Sequence, residues 1–569
     1  MGKVFKLFCF LAIVGLMSSC EDDPEAWTQL PKDEISADSD NLTMSVNGQA
    51  STKGKVKLTA KSATEGVVTL TDVVPGYATV PVDVALVEQT DGSFNYNGTT
   101  QITTAPSRAE ATGSDECFMT VNVSGKVSPD GKMTANVTAK GAAFYIGVYS
   151  NDSLALTYCD VPMVGKTVAY ASVSDKPSLV ITGVIPGDFV TTIEGVYPDD
   201  SGSFNGTSTT ANGTEVKYSG KFNAGTGVLS LNVVPTLGTQ AQGGIAKTWN
   251  LSHQAESDAE NDYAFNPYPP LRMIWSAIDE DEMNAQQIAL LASRAGGHFL
   301  VDLLNNITLN PNGTLSASYG DAKNIVIPDM NDMMTMIAWF FGLLEPNMEP
   351  TNTTWIQSPS NLAYWYTRDG MFYFVPDIAQ IILQANKDNG TSEVSPEMIL
   401  GIISSIAEMS DEELKALFES LGSMLEMPGL DLSDVDPAIV RTILSWIETG
   451  VPLHYTVDGE YLSLYIDKAM AEPYMTLIFK FLPILQAKMD EMAATNPMMS
   501  MMWGVLGIEK LSDLETIWNE NTADFKIAIS FDQSSRAGKS HRAAKKNYVQ
   551  KFDSVDEAMA KIKAMITKK

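Results

Sequence analysis

The sequence predicts a multi-domain protein: two duplicated all-β modules, sandwich- or barrel-like, followed by an α+β domain with an antiparallel sheet and amphipathic helices. Three observations lead there. The chain of 569 residues is too long for a single core. Residues 41–255 are short apolar runs broken by turn dipeptides, and they repeat themselves. From Ala264 onward, hairpins built on Asn-Gly or Asp-Gly alternate with helix-period segments.

Within 41–255, runs such as Val67-Val68-Thr69-Leu70, Val80-Pro81-Val82-Asp83-Val84 and Val216-Lys217-Tyr218 read as strands. Val73-Val74-Pro75-Gly76 is echoed by Val184-Ile185-Pro186-Gly187. Gly92-Ser93-Phe94-Asn95 is echoed by Gly202-Ser203-Phe204-Asn205, and Ser124-Gly125-Lys126-Val127 by Ser219-Gly220-Lys221-Phe222. The order is kept, with an insertion at 107–116 in the first copy. A period of about 110 residues is domain-sized, so it marks two modules, 41–163 and 164–255, and not a solenoid.

The α+β domain is placed at 264–535. Its hairpins fall at 307–319, 362–375 and 453–466, with a last strand at 523–531. Helices are expected at 330–344, 375–385, 396–409, 411–427, 436–449, 468–492 and 497–505. Ser410 and Glu413 form a capping-box pair, Pro396, Pro437 and Pro497 sit where a first turn would, and Pro473 and Pro483 should kink or split the long helix. An antiparallel sheet covered on one face by helices satisfies both patterns.

The first residues carry an address. Lys3 and Lys6 precede an apolar run, Leu7 to Met17, too short to span a bilayer. Met17-Ser18-Ser19-Cys20 resembles the bacterial lipobox, so 1–20 reads as a lipoprotein signal with Cys20 as the lipidated residue. Residues 21–40 form an acidic tether. Glu21-Asp22-Asp23-Pro24-Glu25 resembles the acidic signal that sends Bacteroidetes lipoproteins to the outer face of the outer membrane; the plainer reading is a solvated linker. The expected location is an outer-membrane lipoprotein, exposed at the cell surface or otherwise on the periplasmic face.

A formal charge of −31 disfavours nucleic acid as a partner. Residues 536–569 differ, with ten Lys or Arg against Asp553, Asp556 and Glu557, and read as a basic segment with a short helix. Once Cys9 and Cys20 are set aside, Cys117 and Cys159 remain on strand-like segments. They either form a bridge closing a loop of about 43 residues, worth roughly 4 kcal/mol, or stay as two buried thiols.

The string Ser358-Pro359-Ser360-Asn361-Leu362-Ala363-Tyr364-Trp365-Tyr366 before an Asp-Gly turn, the 307–319 hairpin and the lipoprotein start together resemble a family of gut Bacteroides lipoproteins with a domain of unknown function. The resemblance implies β-rich N-terminal modules and a helical, sheet-containing C-terminal half. It implies no established activity and no site residues.

Catalytic chemistry finds no motif. His253, His298, His454 and His541 are scattered without metal-ligand spacing, and Asp279-Glu280-Asp281-Glu282 reads as the acidic first turn of a helix. No Gly-x-Ser-x-Gly, phosphate loop or Ca²⁺ loop is present, so no enzyme, metal or cofactor is expected. Methionine-rich helical segments with interspersed aromatics are either core or the lining of an adaptable apolar cleft. On the second reading Met334, Trp339, Phe340, Trp365, Met475, Phe479, Met501 and Trp503 line a pocket for a lipid, sterol or bile-like amphiphile. The expected function is therefore a surface-tethered, non-enzymatic lipoprotein that binds a hydrophobic or amphiphilic small molecule. The alternative is a structural lipoprotein that binds a protein or glycan partner and has no such pocket. A third reading, a glycan hydrolase, requires two carboxylates facing each other in a cleft.

Overall fold

The computed structural model describes residues 25–533, apart from 75–76, 103–118, 141–144, 174–175, 200, 254–267, 280–283, 322–341, 344–347, 349, 351–353, 391–394, 425–434 and 496–509. Cys20, Cys117, Met334, Trp339, Phe340, Met501, Trp503, the helix expected at 497–505, nearly all of that expected at 330–344 and the basic segment lie outside the described residues. The chain forms two compact units. One gathers residues up to Val184 with Val190–Ser208 and Lys217–Val234. The other holds Ile185–Phe189, Thr209–Val216 and the residues from Pro235 on.

The duplication is reproduced strand for strand, most of it within the first unit. The first copy runs β1 (Ile35–Ser36), β2 (Leu42–Val46), β3 (Gln49–Ser51), β4 (Lys55–Ala60), β5 (Glu65–Thr71), β6 (Thr79–Glu88), β7 (Phe94–Ile102), β8 (Met119–Val127) and β9 (Met133–Lys140). These make one sheet in the order β1-β4-β5-β6-β7-β8-β9-β2-β3, with β2 parallel to β9. The second copy repeats it with β10 (Gly147–Ser150), β11 (Leu154–Tyr158), β12 (Val161–Met163), β13 (Thr167–Val173), β14 (Lys176–Ile185), β15 (Asp188–Glu194), β16 (Ser203–Thr209), β17 (Glu215–Asn223) and β18 (Val228–Thr236). Here β11 is parallel to β18, as β2 is to β9. One link differs: β6 pairs with β7, but their counterparts β15 and β16 do not pair, so the second copy divides into sheets of four and five strands.

The pairing starts the second copy near Gly147, ahead of the boundary expected at 164. The strands β10–β12 belong with β13 and β18, a long-range relation that local turn signals do not carry. Alternate residues of β5 and β6 are buried, among them Val68, Leu70, Val82 and Val84, as a half-buried antiparallel sheet requires.

The second unit is built on an antiparallel sheet that closes on itself. Its strands are β19 (Thr248–Leu251), β20 (Leu271–Ala277), β21 (Leu304–Leu309), β22 (Thr314–Gly320), β23 (Trp355–Gln357), β24 (Ala363–Arg368), β25 (Met371–Pro376), β26 (Val451–Asp458), β27 (Tyr461–Asp467) and β28 (Thr522–Asp532). The path β19-β21-β22-β24-β25-β26-β27-β28 returns to β19, giving an eight-stranded barrel, with β20 added on β28 and β23 on β22. The antiparallel sheet expected from the hairpins is present, and its closure is the added finding. The short β19 reads in sequence as the tail of the second β module, yet it bonds to β21 through Trp249 opposite Ile307 and to β28 through Leu251 opposite Phe531. An eight-stranded barrel is just wide enough for side chains to fill. Trp249, Leu251, Leu309, Trp365, Phe372, Leu462 and Phe531 form its buried core cluster.

The helices are α1 (Thr239–Gln242), α2 (Asn284–Leu303), α3 (Ile378–Asn389), α4 (Pro396–Glu408), α5 (Asp411–Met424), α6 (Pro437–Thr449), α7 (Lys468–Phe479), α8 (Leu482–Thr495) and α9 (Asp513–Asn521). Their starts follow the sequence signals. Ser395 accepts from Met398 N and Asp436 from Ala438 N, each just before a first-turn proline, and Ser410 and Glu413 cap each other. Arg441 on α6 donates to Met409 O at 2.6 Å and to Asp411 at 2.8 Å, placing a cation at the end of α4.

Tyr366 on β24 gives this unit a measurable pH signature. Its hydroxyl donates to Thr449 O at 2.6 Å and its ring stacks on Tyr373 at 4.6 Å. Burial pushes its pKa up to about 12, against the opposing influence of Arg368. The raised value means that the folded state keeps a proton the unfolded state loses above about pH 10. The resulting stability is fully present below pH 10 and is lost as pH rises to about 12. Denaturant midpoints across that range should fall less steeply for Tyr366→Phe than for the parent; an unchanged slope would remove Tyr366 as a source.

Candidate ligand-binding cleft

The cleft arises where a proline divides one helical run into two. Asp467, ending β27, accepts from Met470 N at 3.0 Å and so caps α7; its other oxygen lies 3.1 Å from His454 Nε2. The helix α7 runs through Pro473 and stops at Phe479. Pro483 then sits in the first turn of α8, where its missing N–H costs no helical hydrogen bond. The corner leaves Phe479 and Leu482 side by side, 8% and 7% exposed, as part of a cluster with Trp275, Ala471, Leu511, Trp518 and Phe525. Trp275, Trp518 and Phe525 meet edge to face, with centroids 4.9–6.0 Å apart.

Over this floor lies a cavity of about 360 Å³. Pro483 and Ala487 supply one wall. Gln486 is held by a bond from Leu511 N at 2.7 Å and itself donates to Asp490 at 2.8 Å. The rim carries Asp490, Lys510, Ser512 and Glu515. Lys510 and Glu515 have no side-chain partner among the described residues. Ile478 on α7, Phe481 in the turn and Leu485 on α8, each at least 42% exposed, add apolar surface around the corner.

The structure separates the sequence-predicted pocket residues that it describes. Phe479 lines the cleft, and Met475 packs against the same cluster from α7. Trp365 is fully buried in the barrel core, its indole N–H donating to Asn310 O at 3.1 Å. Cys159 occupies the β11–β12 turn of the first unit at φ 49°. Sequence reasoning missed Leu482, Gln486, Ala487 and Lys510. The usable signal was Pro483, since a split amphipathic helix must turn and a turn between two helices makes a concave corner.

Other chemistry is sparse. Among the described residues no group of three or more His, Cys, Asp or Glu is arranged to hold a metal ion. His454 stacks on Tyr465 at 5.1 Å, with Lys526 Nζ 3.6 Å from that ring's centroid, an aromatic and charged patch on the barrel strands.

No family model matches the chain, and no curated protein does. Among solved structures it is similar to a protein of Bacteroides fragilis NCTC 9343 provisionally named an outer membrane protein. The identity is 11% and the TM-score 0.13, over 34% of this chain and 86% of that one. No helix among the described residues is long and apolar enough to cross a membrane, which is a statement about helices and not about strands.

Proposed function

We propose that this protein is a non-enzymatic binding lipoprotein, tethered through Cys20 at the outer membrane, whose α7–α8–α9 cleft takes a small hydrophobic or amphiphilic molecule. The observation that carries the reading is the cavity of about 360 Å³ floored by Phe479 and Leu482. Ligand sites are concave, mostly apolar and equipped with a few polar groups, and they span roughly 300–1,000 Å³. Here the floor and the Pro483–Ala487 wall are apolar. Lys510 and Glu515 are the groups at the rim available to a ligand's polar end.

The test is displacement of a fluorescent fatty-acid analogue from the mature chain by oleate and by a bile acid, for the parent and for Ala487→Trp. Ala487 is exposed, so an indole there fills the cleft without disturbing the core. The expected result is uptake by the parent and an affinity weakened roughly tenfold or more in the variant, with the melting temperature unchanged. Absence of uptake by the parent would refute the reading and favour a lipoprotein that binds protein or glycan partners.

A further inference from the structure

A second cavity, of about 520 Å³, lies in the same compact unit and shares no residue with the first. It is lined chiefly by polar groups, and its walls are fixed by bonds that leave other groups unused. Arg368, at the end of β24, donates one guanidinium N–H to Gly187 O and lies 5.2 Å from the centroid of the Tyr366 ring. Thr367 donates to Gln240 O at 2.6 Å, and Asn212 donates to Gly187 O at 3.0 Å and to Asp188 at 2.7 Å. What remains has no partner among the described residues: the other N–H groups of Arg368, the carboxylate of Asp369, the side-chain amide of Gln240 and the hydroxyl of Tyr455.

We infer that this cavity binds a neutral saccharide of one or two residues. The unused groups offer both donors and acceptors, and three of them are planar forks able to make two parallel hydrogen bonds, which matches adjacent hydroxyls on a sugar ring. One cation and one anion leave the lining without net charge, so no field selects an anionic ligand. A free amino acid would match the Arg368 and Asp369 charges, but its side chain would meet a polar wall, and the Tyr366 ring is already engaged, stacked on Tyr373 with Arg368 lying over it. The volume falls within the range of small-ligand sites.

The experiment titrates the full mature chain with neutral hexoses, N-acetylhexosamines and their disaccharides, with uronic acids and free amino acids as comparisons, read by saturation-transfer NMR and calorimetry. Its variant is Gln240→Ala/Tyr455→Phe, which removes unused groups and none of the bonds that fix the walls. The expected result is binding of a neutral sugar by the parent, at least roughly tenfold weaker in the variant at the same melting temperature. No binding of a neutral sugar at millimolar concentration, affinity unchanged in the variant, or preference for amino acids or uronic acids would each overturn the inference.

Discussion

Replacing Trp365 with alanine should destabilise the second unit by about 3–5 kcal/mol, the range for emptying a buried aromatic site. Trp365 is 0% exposed, stacks on Phe372 with centroids 6.1 Å apart, and donates its indole N–H to Asn310 O. Its removal empties the middle of the barrel and takes away one of the two hydrogen bonds that Asn310 O accepts, the other coming from Gly313 N. Because the chain forms two compact units, the effect should appear in one unfolding transition and leave the other in place. Calorimetry of the parent and Trp365→Ala would show it. A loss below about 1 kcal/mol would mean that the site is loosely packed, as a ligand-pocket wall could be.

Gly125→Ala should be the matching lesion in the first unit, costing about 3 kcal/mol or somewhat more as an overpacked site. Gly125 on β8 pairs with Tyr96 on β7 and Ala135 on β9. A Cβ there would overlap Thr134 O and come within 2.6 Å of Tyr96 Oη, the hydroxyl that donates to that same carbonyl at 2.7 Å. The second copy repeats the constraint: at Gly220 the obstacles are the Phe204 ring and Ser230 O. Crowding by an aromatic therefore explains why Ser-Gly-Lys recurs in both copies. Gly147→Ala is the control, since a Cβ there meets nothing within 4 Å and should change stability by less than about 0.5 kcal/mol. If Gly125→Ala melted with the control, the space argument would be wrong.

What could be read from the sequence was local. The Asn312-Gly313, Asp369-Gly370 and Asp458-Gly459 turns all form, with φ of 83°, 76° and 58° at their glycines, and Ser395, Asp436 and Ser410 cap the helices they precede. The repeat was legible because duplicated strands keep duplicated turns. Illegible were relations between distant residues: β19 against β28, β20 as a strand at all, and the start of the second copy at β10. Pairing of Asn250 with Asp532 leaves no mark on either segment's periodicity. The cleft was half legible, since Phe479 and Pro483 were both singled out, whereas the far wall of Lys510, Ser512 and Glu515 comes from a segment distant in sequence.

The seam between β19 and β28 also sets a timetable. In the first unit β2 finds β9 within about a hundred residues, whereas the barrel's first strand must wait for its last. Loop length adds little to the equilibrium cost, about 0.6 kcal/mol per doubling, but distant pairings are slow to find. Until residue 532 arrives, β19 and β27 present bare amide edges of the kind that recruit other chains. The interval between the emergence of β19 and that of β28 is thus when this protein is most exposed to aggregation, and the moment at which a chaperone would have something to hold.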